Sequence, residues 1–365
     1  MRVLAIDHGG LRGIAATRLL IHLEEQLGPL HEYFDLFVGT SAGSIIATGL
    51  ATGMTASMIH QCFLTNRHRI FKKSQNLLGM VWRSNSSLYE TTGLDTVLQE
   101  QFSGFQMTPI SIRKKLCIIS STLSTQPAST FLFRNYEAPS RYPCMTGIPV
   151  WKAVRASSSA PLYFAPFQDP TLVAPFPHTG ELVGKRFVDG AVTAKSSSVA
   201  VSEARALCSP TEHITIVSIC PGTVPSRATL PSPTSSIAKI VSTLSSITNN
   251  LSHFRSVLNA VVDSATMTEE MNASLEDCLA LANGTTGSFS DNGFDIKNKV
   301  NYFRFRPTLS FDFSMDEVRA NKITHLMDDV KGFVEEDRCR EMVEMLQKVY
   351  IRDESREFNF QSINK

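Results

Sequence analysis

The chain has 365 residues, of which 42% are hydrophobic and 19% charged, values that exclude a disordered or fibrous protein. Its net charge is +1, so no global field directs it to nucleic acid or to basic partners. Seven cysteines without a Cys-x-x-Cys pair predict reduced, buried thiols rather than a zinc site or a disulfide framework.

In chain order, Val3-Leu4-Ala5-Ile6 is a short apolar run ending in a glycine-rich turn, as expected of a buried parallel strand. It follows Met1-Arg2 directly, which leaves no room for a secretory signal core. From Ile14, the residues Leu19, Leu20, Leu23 and Leu27 recur at helical spacing until Gly28-Pro29. Residues 34–38 read as a second strand, followed by Gly39-Thr40-Ser41-Ala42-Gly43 and a small-residue helix to about Leu50. The stretch 36–54 is too interrupted by glycine and hydroxyl residues to span a membrane. This βαβ opening predicts an α/β fold of three layers, α/β/α, around a mostly parallel central sheet.

Residues 67–73, Arg-His-Arg-Ile-Phe-Lys-Lys, and the apolar stretch 77–82 interleave basic and apolar side chains. They read either as a surface for anionic lipid or as a cap helix with a solvated basic edge. Further strands are expected over 116–120, 131–133, 186–188, 214–219 and 302–305, with a Pro/Ser-rich loop at 225–236. Ser314-Met315-Asp316-Glu317 matches a capping box and predicts a helix start, continued by Ile323, Leu326, Met327, Val330 and Val334. A last helix is expected near 338–349.

Three segments carry chemistry. Gly39-Thr40-Ser41-Ala42-Gly43 lies between a strand and a helix, the setting a nucleophile elbow requires. There the Ser41 hydroxyl would stand at the carboxyl edge of the sheet, and the Ala42 N–H could face a developing oxyanion. The bland alternative is a tight turn packing a helix on a sheet. Asp7-His8-Gly9-Gly10-Leu11-Arg12-Gly13 follows the first strand. His8 stands where a dinucleotide G-x-G-x-x-G needs glycine, so exposed N–H groups facing Ser41 are the better reading, against a simple glycine-rich connection. Phe187-Val188-Asp189-Gly190-Ala191 ends a strand in a carboxylate, which serves as a base for a hydroxyl only if burial raises its pKa. An isolated Asp-Gly is otherwise a turn.

Taken in this order, the segments resemble the patatin-like phospholipase family of Ser–Asp dyad lipid acyl hydrolases. Ala153 to Phe164, containing Arg155-Ala156-Ser157-Ser158-Ser159-Ala160-Pro161, is similar to that family's Arg-Ala-Ser/Thr-Ser-Ala-Ala-Pro block. The resemblance implies a patatin-like hydrolase domain over 1–310, with 311–365 forming C-terminal helices packed on it. It implies Ser41 as nucleophile, Asp189 as base, and Gly9, Gly10 and Ala42 as oxyanion donors. Arg12 and Gly13 would support the turn, Gly39 and Gly43 would shape the elbow, and Gly190 and Ala191 would follow the base. The implied activity is phospholipase A or lysophospholipase cleavage of ester-linked fatty acids through an acyl-enzyme. The substrate would be a phospholipid or other glycerolipid, with no nucleic acid partner and no cofactor. No metal-ligand cluster is legible, so turnover without calcium is expected. The location expected is cytoplasmic, with peripheral membrane contact as an addition.

Two departures stand out. The family's first turn glycine is His8, which would reshape the turn and displace its donors if it had to adopt positive φ, or would sit outside the hole, binding phosphate or doing nothing; the neutral reading is adopted. After Asp189-Gly190-Ala191 the chain continues Val192-Thr193-Ala194-Lys195-Ser196-Ser197 in place of an Asn-Asn-Pro wall. The alternatives are an impaired lipid-binding or regulatory relative, and an esterase or amidase for small soluble substrates. A Ser-His-Asp triad would have to use His213, His253 or His325, each of which reads as structural or solvated.

Overall fold

The computed structural model describes residues 1–74, 87–209, 211–223, 275, 279, 300–311 and 313–363. The apolar stretch 77–82, the loop 225–236, His253 and Cys278 lie outside the described residues. Strand β1 (Arg2–Ile6) leads through a short 3-10 turn (Gly10–Arg12) into α1 (Gly13–Leu27). Gly28, at φ +82°, caps α1 by donating its N–H to Glu24 O, a left-handed stop that glycine adopts without a Cβ clash. After α2 (Leu30–Tyr33), β2 (Leu36–Thr40) runs parallel to β1, and α3 (Ala42–Ala51) starts one residue past the strand-end Ser41. Helices α4 (Ala56–Ile70) and α5 (Thr91–Phe102) follow.

The rest of the sheet is β3 (Lys115–Thr122), β4 (Ser129–Arg134), β5 (Cys144–Met145), β6 (Phe167–Pro175), β7 (Leu182–Asp189), β8 (Ile214–Ile219) and β9 (Val300–Phe305). The path runs β5-β4-β3-β2-β1-β8-β9, with β7 joining β3 and β6 joining β7. Pairs β1–β2, β2–β3, β1–β8, β8–β9 and β4–β5 are parallel; β3–β4, β3–β7 and β6–β7 are antiparallel. The sheet is therefore mostly parallel, as expected. Helices α6 (Val150–Ser157), α7 (Ser196–Leu207), α8 (Ala320–Glu335) and α9 (Asp337–Ile363) complete the chain.

Alternation along the strands divides the core into two layers. Leu4, Ile6 and Phe37 pack with Ile14, Ile46 and Leu326 on one face. Val3, Ala5, Leu36 and Val38 pack with Val199, Ala200 and Ala204 of α7 on the other. Helices on both faces give the three-layer α/β/α arrangement. Ile323, Leu326, Val330 and Phe333 of α8 and Leu346 of α9 belong to the first core, so the C-terminal helices are built into it. No described helix is long and apolar enough to cross a membrane.

The capping-box expectation is corrected. Helix α8 begins at Ala320, not after Ser314. Ser314 Oγ bonds Asp316 instead, and Glu317 N–H donates to Ser314 O at 3.1 Å, so the segment closes as a turn. The last helix is longer than expected, and the hairpin β6–β7 reaches well beyond the expected 186–188. Thiols Cys117, Cys220 and Cys339 are buried, whereas Cys62, Cys144 and Cys208 are half-buried.

Candidate active site

The register of β3 brings the two key segments together. Residues Lys115 to Ile119 pair with Leu36 to Thr40 of β2, and on the same strand Ser120 to Thr122 pair with Asp189 to Phe187 of β7. Asp189 therefore occupies the place next beyond Thr40, beside Ser41. The Ser41 hydroxyl is a neighbour of the Asp189 carboxylate and favours its anion, and both line one cavity.

Ser41 is held at φ 55°, ψ −128°, a backbone region costing a non-glycine residue about 1–3 kcal/mol unless its surroundings impose it. They do so through close approach. A Cβ on Gly39 would lie 2.3 Å from Gly43 O, and a Cβ on Gly43 would lie 2.3 Å from Ile6 O and 2.6 Å from Asp7 O. Only hydrogen at both positions lets the strand end, the first turn of α3 and the end of β1 meet. Ser41 N–H donates to Ser157 Oγ at 2.9 Å, and Ser157 Oγ–H donates to Ile119 O at 2.6 Å. Ser44 Oγ–H closes the elbow on Ser41 O at 2.6 Å.

Asp189 is buried, and burial pushes its carboxyl up to about 6, against the Ser41 hydroxyl, the Ala191 N–H at 2.9 Å and the Lys195 charge, which all favour the anion. Its own N–H donates to Ser159 O at 3.0 Å. A Cβ on Gly190 would meet Ile119 O at 2.3 Å, so glycine lets the chain leave β7 against β3.

The turn after β1 sits opposite. Arg12 N–H donates to Gly9 O at 3.0 Å, Leu11 N–H to Met315 O at 2.8 Å, and Arg12 Nε–H to Phe313 O at 2.6 Å. None of these bonds uses the Gly9 or Gly10 N–H. Gly10 has φ +55°, and a Cβ there would lie 2.4 Å from Met315 O. Asp7 is fixed by its N–H on Ile219 O at 3.0 Å and by a buried ion pair with Arg304 at 2.9 Å. A Cβ on Gly13 would crowd the Phe63 ring at 2.9 Å, so glycine lets α1 pass close to α4.

His8 is not among the left-handed residues, so it does not reshape the turn through its backbone. It lines the cavity, and burial first, then the Lys195 charge, pulls its imidazole down to about 4; it is neutral near pH 7. His213 and His325 do not line the cavity; His325 packs edge-on against Phe311. Beyond the polar end, Ile45, Phe63, Ile70, Phe71, Leu94 and Phe164 wall an apolar cavity that opens to solvent. A hydroxyl beside a poorly solvated carboxylate, facing N–H groups at the head of such a cavity, can attack a carbonyl whose chain lies among those side chains. No group of three or more His, Cys, Asp or Glu is placed to hold a metal among the described residues.

The family profile for patatin-like phospholipases matches residues 4–197, which contain the elbow, the glycine turn and Asp189. The chain belongs to the patatin-like phospholipase family. It is similar to the calcium-independent phospholipase A2-gamma of Rattus norvegicus, 27% identical over 374 residues, covering 97% of this chain and 41% of that one. It also matches phospholipase A I of Arabidopsis thaliana, 26% identical over 287 residues, covering 62% and 21%. An intracellular phospholipase A2 of Caenorhabditis elegans is 31% identical over 172 residues, covering 46% and 15%. The chain thus spans well under half the length of these relatives.

Of the site residues expected from the patatin-like pattern, Ser41, Ala42, Gly9, Gly10, Asp189 and Ala191 line the one cavity. Arg12, Gly13, Gly39, Gly43 and Gly190 lie behind it, in the contacts just described. Sequence reasoning quoted the Arg155 block without assigning it work. Ser157 and Ser159 are the partners of Ser41 and Asp189, and Arg155 holds Ser159 Oγ at 2.6 Å while pairing with Asp95. The segment 313–315 was missed, because its signal resembled a helix start. After Ala191, Val192 lines the cavity, and Ser196 Oγ bonds Thr40 Oγ1 at 2.9 Å and Ile6 O at 2.8 Å. The basic stretch lies at the end of α4. There Arg69 pairs with Glu100 at 2.7 Å, Lys72 with Glu90 at 2.8 Å, and Arg67 Nε–H reaches Val318 O at 3.2 Å.

Proposed function

We propose that the protein is a lipid acyl hydrolase of the phospholipase A or lysophospholipase type, working through a Ser41–Asp189 dyad and an acyl-enzyme. The observation that carries the reading is the β3 register that sets the Ser41 hydroxyl beside the buried Asp189 carboxylate at the polar head of an apolar cavity. Asp189 takes the Ser41 proton as Oγ attacks the ester carbonyl. The Gly9, Gly10 and Ala42 N–H groups face the oxyanion, and the departing alkoxide takes the proton back from Asp189. Water, deprotonated by Asp189, then releases the fatty acid from Ser41. A carboxyl pushed up to about 6 is a better base than an ordinary aspartate and is still ionised at neutral pH.

Residues 1–310 form the hydrolase domain in this reading, with 311–365 packed on it. No step calls for a metal, so turnover persists in chelator. Peripheral contact with an anionic lipid surface through 67–73 belongs to the same reading. With Arg69 and Lys72 paired internally the attraction is weak and local, and added salt reduces it. The test is product analysis on mixed phospholipid vesicles with wild type, Ser41→Ala and Asp189→Ala. Free fatty acid and lysophospholipid are expected from wild type alone. Equal release by Ser41→Ala would overturn the proposal. Turnover of monomeric short-chain esters with none of vesicles would instead favour the small-substrate esterase.

A further inference from the structure

The dyad and the glycine turn lie on separate stretches of chain, and one side chain ties them together. Tyr89 precedes α5 and is buried behind the apolar wall of the cavity. Its ring stacks on Tyr163 at 6.0 Å and meets Phe71 edge-on at 5.2 Å, and both partners line the cavity. A phenylalanine would fill that place without drawing a carboxylate behind an apolar wall. Tyr89 instead donates its hydroxyl to Asp316, far along the chain. Burial first, then this bond, pushes the phenol up, so it stays a donor near neutral pH.

Asp316 divides its carboxylate between two donors. Oδ2 takes the Tyr89 hydroxyl, and Oδ1 takes Ser314 Oγ–H. The residue bracketed by this clamp is Met315. Its carbonyl accepts the Leu11 N–H at 2.8 Å and lies 2.4 Å from where a Cβ on Gly10 would stand. The place of Met315 O therefore fixes the glycine turn and the aim of its N–H groups.

At its other end Tyr89 is tied to the block that holds the dyad. Tyr89 N–H donates to Tyr163 O at 3.0 Å, and Leu88 N–H to Leu162 O at 2.8 Å. Leu162 is held at φ 71°, a left-handed strain that persists only where neighbours impose it. Shortly upstream in the same block, Ser157 Oγ takes the Ser41 N–H and Ser159 O takes the Asp189 N–H.

We infer that Tyr89 is a positioning residue of the site, which through Asp316 sets the oxyanion turn against the Ser41–Asp189 pair. This deepens the hydrolase reading and rests on it. Tyr89 does not line the cavity, so it acts through the turn and not on the substrate.

The test is Tyr89→Phe, which keeps the stacked ring and removes only the hydroxyl. Active sites are titrated with a fluorophosphonate, and steady-state kinetics are measured on p-nitrophenyl butyrate. The expected kcat per titrated site is lower by about tenfold with KM within about twofold, a smaller loss than removal of a donor outright. Asp316→Ala removes the same bond and that of Ser314, so adding Tyr89→Phe to it should cost nothing more. Asp316→Asn keeps an acceptor for the phenol and should recover most of the rate. A tyrosine that only stabilises the fold would lower the melting temperature and leave the titrated kcat unchanged. That result, or additive losses in the double variant, overturns the inference. Hydrogen exchange at the Leu11 amide reads the turn without turnover. It should quicken by about tenfold in Tyr89→Phe, and an unmoved rate counts against Tyr89. Full activity in Ser41→Ala would sink the dyad itself, and exchange at Leu11 would still decide whether Tyr89 holds the turn.

Discussion

The elbow at Gly39–Gly43 and the turn at Asp7–Gly13 face one cavity, yet they are specified in different ways. The elbow is largely self-contained. Its two glycines are required by each other and by the end of β1, and its serine is closed by Ser44 three residues on. The turn depends on distant chain. Met315 O takes the Leu11 N–H, Phe313 O takes the Arg12 guanidinium, Pro221 presses on Gly9, and Arg304 pairs with Asp7. One half of the site thus takes its shape chiefly from a pentapeptide, with Ser157 and Ser196 as outside anchors, and the other is assembled only when the C-terminal segments dock.

Substitutions separate the two halves. The largest effect is expected from Gly43→Ala, whose Cβ would meet the Ile6 and Asp7 carbonyls at 2.3 and 2.6 Å, neither of which can yield. Thermal and urea unfolding should register a loss above about 4 kcal/mol or failure to fold. Gly104→Ala, which meets no atom within 4 Å, should stay within about 0.5 kcal/mol of wild type. A tolerated Gly43→Ala would contradict the close-approach account.

Gly10→Ala comes next, since it strikes the turn alone. Strain at φ +55° and collision with Met315 O displace the N–H groups. Steady-state kinetics on a soluble ester should show kcat down by roughly 10²–10³ with KM little changed. An unchanged kcat would remove the turn from the mechanism.

The third prediction concerns Asp189, which links both halves. Its folded pKa, about 6, lies above the ordinary 3.8, so the carboxyl stabilises the fold fully below about pH 4 and that contribution is lost as pH rises through 6. Asp189→Asn should therefore be the more stable protein at pH 8, by on the order of 2–3 kcal/mol, with the gap closing by pH 4. Equal melting temperatures at pH 8 would contradict that burial cost.

How much of this the sequence discloses follows the same division. The glycine spacing around Ser41, the helical stripe of α1 and the strand-end carboxylate are local patterns, and they were legible. The pairing that seats Asp189 beside Ser41 is an antiparallel register between β3 and β7, set by partners nearly 70 residues apart. Strand β6 was obscured by its irregular Asp169-Pro170-Thr171 stretch, where the ladder with β7 shifts register. Ser314 to Glu317 carried the residue types of a capping box, but Asp316 binds the Tyr89 hydroxyl and Ser314, which turns the segment before the helix begins. Lys195 was visible only as a departure from a pattern.

The account stands or falls on Ser41 being the residue that carries the acyl group. A fluorophosphonate probe or a slowly hydrolysed ester, followed by peptide mass spectrometry, tests this directly. The expected result is a single covalent adduct on Ser41, formed by wild type and strongly slowed in Asp189→Asn. An adduct on another residue, formed at the wild-type rate in Ser41→Ala, would contradict it.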